Sequence, residues 1–234
     1  MTAADRHRMK LDIERRAAAP SNERPRKCSA IGCQRFTQRS NGKGLSEVKC
    51  KQHVEFRRRH GSTWMKSYSA ARLAPYRKAA HRWLRDHGED PHVVRVIAAL
   101  DALIADSGRA ETANRARWKT PDGKARIALA RLREAGKRGE QLLAITLTVK
   151  ATISVTGPRG DPEFMQVQIA KMVHRLASGT HIKSAIWGDT SKYPRPEGRV
   201  MRILGHRVED IAGIVAGGET IDEVIAIANG AAAG

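Results

Sequence analysis

The chain has 234 residues, with 43 Lys and Arg against 24 Asp and Glu, a formal net charge of +19, and only 4% aromatic residues. That length allows one large domain or a small module joined to a larger one, and the charge points to a polyanionic partner, nucleic acid first. No apolar run approaches the roughly 20 residues needed to span a bilayer, and residues 1–19 are charged throughout with no apolar signal core, so the expectation is a soluble, cytoplasmic protein without a membrane partner.

In chain order, residues 1–27 read as a basic arm, a frayed helix followed by an extended linker over 20–27. Residues 28–61 hold a Cys/His cluster. A helical pattern then runs over 62–234, with a sub-boundary near the Gly157-Pro-Arg-Gly-Asp-Pro162 turn. Residues 64–86 read as one or two helices broken near Pro75, where the ring removes a backbone donor. Val93, Val96, Ile97, Leu100, Leu103 and Ile104 keep the spacing of an amphipathic helix, with Pro91 just ahead and Gly108 as its C-cap. Thr120-Pro121-Asp122 opens another helix, with Ile127, Leu129 and Leu132 apolar, that ends at Gly136. Between 142 and 156, Leu143, Ile145, Leu147, Val149, Ala151, Ile153 and Val155 alternate as in a strand. No partner strand is visible, and a helix with a wide apolar face also fits; the reading leans to helix.

Residues 163–177 form a helix offering Phe164, Val167, Met172, Val173 and Leu176 to a core. Residues 185–198 read as a loop held by Trp187 and Tyr193. Helices over 199–216 and 220–229 follow, the second opening with the capping-box pattern Thr220-x-x-Glu223. With Ala, Leu, Ile and Val supplying most of the apolar content, the expected fold is mainly α: a small N-terminal zinc-binding module followed by a helical domain.

The cysteines carry the sharpest signal. All three lie between Cys28 and Cys50, an odd number in a short stretch, which speaks for metal ligation over a disulfide framework. With His53 they form C-x4-C-x16-C-x2-H. Zinc in structural sites takes four such ligands tetrahedrally, and two closely spaced pairs on opposing turns can supply them. Gly32 suits the tight turn beside Cys33, and Cys50 and His53, three apart, suit the first turn of a helix through Val54–His60. Four protein ligands leave no open position, so the Zn2+ is expected to be structural, and a module this short depends on it for stability.

These motifs also resemble a known module. Cys28-Ser-x-x-Gly-Cys33, a loop, then Cys50-x-x-His53-x-x-Phe-Arg-Arg-Arg-His-Gly61 is similar to the small zinc module of phage-type HNH endonucleases and related phage proteins. The resemblance covers residues 27–61 and carries over only the four ligands, Cys28, Cys33, Cys50 and His53. It implies a phage, mobile-element or bacterial regulatory setting.

An HNH centre needs a His base and a His or Asn metal ligand on a ββα hairpin. His81, His87, His92, His174, His181 and His206 show no such spacing, Asp189 and Glu197 are isolated acids in a loop, and no phosphate-binding or nucleophile-elbow motif occurs. The reading therefore leans away from an enzyme, with a metal-dependent nuclease as the alternative.

Residues 1–60 contain 16 Lys and Arg against 6 acids, more than half of the total excess. Arg57, Arg58, Arg59 and His60 follow the ligands directly, and Lys66, Arg72, Arg77, Lys78 and Arg82 continue the basic pattern; all are candidate nucleic-acid contacts, with double-stranded DNA the expected partner. Arg126, Arg131, Arg133, Lys137 and Arg138 form a weaker candidate set. A protein-interaction subunit of a nucleic-acid-processing assembly, or self-association, is the remaining alternative.

Overall fold

The structure is a computed structural model that describes residues 3–18, 25–42, 44–157, 161–177, 182–183, 190–191 and 198–230. Its described residues form ten helices and one short ladder, in two units, Met1–Trp64 and Met65–Gly234.

The first unit contains α1 (Ala3–Ala18) and α2 (Lys51–His60). Along α1 charges recur on every side, including the Lys10–Glu14 pair at 3.7 Å, while Met9, Leu11 and Ile13 are exposed. Between the helices the chain folds back through single backbone hydrogen bonds and an antiparallel bridge, Lys27 to Phe36.

The second unit is a helical bundle: α3 (Ala70–Asp86), α4 (Pro91–Ala105), α5 (Ala113–Arg117), α6 (Pro121–Glu134), α7 (Gly139–Thr156), α8 (Pro162–Leu176), α9 (Arg199–Ala212) and α10 (Gly218–Gly230). Local chemistry starts several of them. Side chains of Ser69, Asp90, Thr120 and Asp161 accept hydrogen bonds from the first-turn N–H groups of α3, α4, α6 and α8, and Pro sits in the first turn of the last three, where its missing N–H costs nothing. The core draws on Val93, Val96, Leu100 and Ile104 from α4, as their spacing predicts, with Leu129 and Leu132 from α6 and Val167 and Val173 from α8. Phe164 packs separately with Tyr68 and Leu73.

Residues 142–156 are helical. α7 packs against α3, α4, α8, α9 and α10, so its residues are buried nearly all round, Leu142 to Val149 without exception. A helix surrounded on all sides has no polar face to betray its period, and the apparent alternation follows from that. Its buried hydroxyls need partners: Thr146, Thr148 and Thr152 each donate to the carbonyl four residues back, at 3.1, 2.7 and 2.7 Å, which satisfies them inside the helix.

Four local expectations are corrected. Pro75 does not break a helix: α3 begins at Ala70 and runs through it, because one missing backbone bond is offset by the buried face of Leu73, Ala79, Ala80, Trp83 and Leu84. The cap of α4 is Asp106, two residues before Gly108. The helix expected over 199–216 ends at Ala212, and the following turn carries the chain into α10. Thr220 is not an N-cap, since α10 already begins at Gly218. Glu223, the other half of that motif, instead accepts from the Nε1–H of the buried Trp83, whose ring stacks on His87 at 4.3 Å. Replacing Glu223 by Ala is expected to strand that buried N–H and destabilise the second unit by about 1–2 kcal/mol, read as a lowered denaturation midpoint; Glu223→Gln, which keeps an acceptor, should recover most of it.

The loop expected over 185–198, with Trp187 and Tyr193, lies outside the described residues, except Gly198 and Thr190–Ser191 (β2), which pair antiparallel with Ile182–Lys183 (β1).

Candidate metal centre

Cys28 and Cys33 lie on a turn closed by Cys33 N–H donating to the Ala30 carbonyl at 3.0 Å. Gly32 takes φ +76° there, a conformation costly for residues with a Cβ, and this brings the two thiols to the same side. Cys28 is anchored by its own N–H on the Arg35 carbonyl at 2.8 Å, and neighbouring Ser29 by the Val48 carbonyl at 2.9 Å. The segment between the cysteine pairs is strapped by Gln38 N–H to Lys49 O and Arg39 N–H to Ser46 O, both 3.0 Å, with Thr37 buried beneath. Cys50 is the N-cap of α2, and its side chain makes no cap hydrogen bond because the sulfur faces the cluster. His53 stands one turn in.

The four ligand atoms all lie within 4.8 Å of one another. His53 Nδ1 is 3.3 Å from both Cys28 Sγ and Cys50 Sγ, and Cys33 Sγ is 4.0 Å from Cys50 Sγ. Zinc bonded at about 2.3 Å to sulfur and 2.0–2.1 Å to nitrogen makes a tetrahedron with edges of about 3.6–3.8 Å, so the observed edges straddle that size. Cys28, Cys33, Cys50 and His53 thus form a group that can hold a metal ion, with the His53 Nδ1 atom turned inward.

The electrostatics fit a cation. Burial alone would raise the Cys28 thiol, but hydrogen bonds from the Ala30 and Cys50 backbone and from the His53 and Cys50 side chains together lower it to about 6. At Cys33 a backbone hydrogen bond from Arg35 pulls the other way, yet burial and the Cys50 and Cys28 sulfurs win and raise it. Adjacent thiolates repel one another, and a bound cation offsets that repulsion. The backbone donors to sulfur had no signature in the sequence, since any residue can supply an N–H.

Arg57, Arg58 and Arg59 are exposed in the last turn of α2. His60 closes the helix with its ring 4.5 Å from Phe56, and the one acid of α2, Glu55, faces Lys51 at 3.9 Å. Lys66, Arg72, Arg77, Lys78 and Arg82 are also exposed, but in the second unit; there Arg72 lies 5.5 Å over the Tyr68 ring and Arg82 is 3.9 Å from Asp86. The weaker set is largely spent on the fold. Arg131 is buried and donates to the Ala177 carbonyl at 3.2 Å, Arg133 donates to Ala105 O at 2.7 Å and to Gly108 O, and Arg126 is 3.4 Å from Asp122.

The candidate histidines of a catalytic centre do not converge among the described residues. Burial and then the Arg131 charge lower His174 to about 4, which leaves it neutral. His87 stacks on Trp83, and His92 Nδ1 accepts from the Arg95 guanidinium at 3.1 Å. His206 joins Glu209 and Asp210 in the only other ligand-like group among the described residues; it is surface-bound, with His206 on Asp210 at 2.7 Å and Glu209 on Lys150 at 3.3 Å. His181, Asp189 and Glu197 lie outside the described residues.

No protein-family model matches the chain, and no curated protein or solved structure matches it. The likeness of residues 27–61 to a phage-type zinc module therefore stands on its motif residues alone.

Proposed function

We propose that this is a zinc-stabilised nucleic-acid-binding protein whose ligand is double-stranded DNA, of phage, mobile-element or bacterial regulatory type. Cys28, Cys33, Cys50 and His53 hold one structural Zn2+, which fixes α2 to the strapped turn, and α2 presents Arg57–Arg59 to the phosphate backbone. One observation carries the reading: the helix that begins with two of the four metal ligands ends in three consecutive exposed arginines. A metal at the first turn sets the helix direction, and guanidinium groups bind phosphate oxygens bidentately.

The test is the salt dependence of duplex affinity. Each neutralised phosphate contributes a slope of about −0.9 in log K against log salt. Replacing Arg57, Arg58 and Arg59 together by Ala is expected to make the slope shallower by up to about 2.7 and to weaken binding at low salt, with zinc content unchanged. A wild-type slope near zero, or one unaltered by the triple substitution, would refute the proposal. The second reading, a zinc-built docking knob for another protein, is favoured by Ile31, fully exposed at the tip of the ligand turn, and by exposed Val48 and Phe36.

A further inference from the structure

We propose that Trp118 and the cations around it form a second contact, for unpaired nucleic acid, in the helical unit. Trp118 is 79% exposed, unusual for the largest apolar side chain and worth an explanation. Its position is set by packing. Ala116, two residues earlier, is buried where α5 meets α6, and residues two apart on a helical turn point to opposite sides, so anchoring Ala116 turns Trp118 outward. The backbone is closed behind it by Trp118 N–H to Arg115 O at 3.3 Å and Lys119 N–H to Ala116 O at 3.2 Å. The Arg117 guanidinium lies over the ring, 5.9 Å from its centroid, and most of the side chain stays open to solvent.

The chain on either side of Trp118 is cationic. Residues 109–126 hold six Lys or Arg and two acids, and both acids are engaged: Glu111 by Lys119 at 2.8 Å, Asp122 by Arg126 and by Arg207 at 2.6 Å. Among the described residues Arg109, Arg115, Arg117 and Lys124 have no carboxylate partner. An exposed indole beside such cations matches a nucleobase stacked on an aromatic ring with its phosphates held alongside. Bases inside a duplex already cover each other's faces, so the fitting ligand is single-stranded. A lipid surface fits less well, because α5 is one short turn with no apolar face to bury beside the ring.

Full-length protein would be titrated with fluorescent-labelled oligothymidylate about 12 nucleotides long and with a duplex of the same length. Trp118→Ala is expected to weaken single-strand binding about 5- to 150-fold while duplex affinity moves less than about twofold, and Trp118→Phe, which keeps a ring, to recover most of the loss. Wild-type tryptophan fluorescence should be quenched by the oligonucleotide, with the Trp118 share of that quenching absent from Trp118→Phe. Equal single-strand affinity of Trp118→Ala and wild type overturns the proposal. So does an equal loss on both probes, or a loss confined to vesicles containing phosphatidylserine. A melting temperature unchanged by either substitution confirms that folding is not the cause. The site owes nothing to the zinc module, so the Trp118 effect should survive even if the arginines of α2 prove irrelevant to duplex binding.

Discussion

Replacing Cys50 by Ser is expected to abolish metal binding and unfold the region around α2, while leaving the helical unit intact. Among the described residues of the first unit, the only buried residues of apolar type are Cys28 and Cys50 themselves. These described residues offer no aliphatic core to fall back on, so their stability has to come through the sulfurs. Structural zinc supplies about 10–16 kcal/mol of apparent binding free energy to small modules of this kind, as much as the roughly 5–15 kcal/mol that holds a typical whole domain. Serine removes a thiolate that shares cluster edges with His53 and Cys33 and replaces it with a hydroxyl that stays protonated at neutral pH. Zinc content should drop from about one ion per chain to nearly none, with loss of amide-exchange protection across residues 26–60 and an unchanged main unfolding transition. Full zinc content and unchanged protection in Cys50→Ser would show that the cluster is not a metal site.

The second large effect belongs to the helical unit, at Gly205. A Cβ there would lie 2.0 Å from the Gln166 carbonyl oxygen and 2.6 Å from its carbon, both backbone atoms of α8, which cannot rotate aside. Glycine is needed because α8 and α9 approach one another there, flanked by buried Leu204 and Val208 and tied by Arg202 to Glu163. Gly205→Ala must push the two helices apart by more than about 1 Å and open the packing of Val167 and Ala170. The expected cost is about 3 kcal/mol or more, a fall in Tm of about 6–12 °C. Gly217→Ala, which meets nothing within 4 Å, should change Tm little. A Gly205→Ala protein as stable as its Gly217→Ala counterpart would mean that the α8–α9 crossing is not as close as described. Zinc content should be unaffected in both.

The sequence by itself determined whatever depends on neighbours in the chain. Ligand spacing placed Cys28, Cys33, Cys50 and His53 together, because a turn with Gly32 and the first turn of a helix are local geometries. Thr120 and Pro121 started α6, and the apolar spacing of Val93 to Ile104 marked the buried face of α4, since capping and helical period act within a few residues. Mainly helical structure was likewise legible from the small aliphatic composition.

Only the tertiary structure decided how those elements use their side chains. Alternation over 142–156 could not separate strand from helix, because five helices cover α7 and erase the period that one exposed face would have left. Glu223 looks like half of a capping box, yet it serves Trp83, 140 residues away. Arg131 looks like a phosphate contact and is buried against Ala177, and Trp118, unremarkable in sequence, stands exposed because Ala116 is held beneath it. In each case the outcome turns on which surfaces meet at long range, where burying or satisfying a group outweighs the preference of its immediate neighbours.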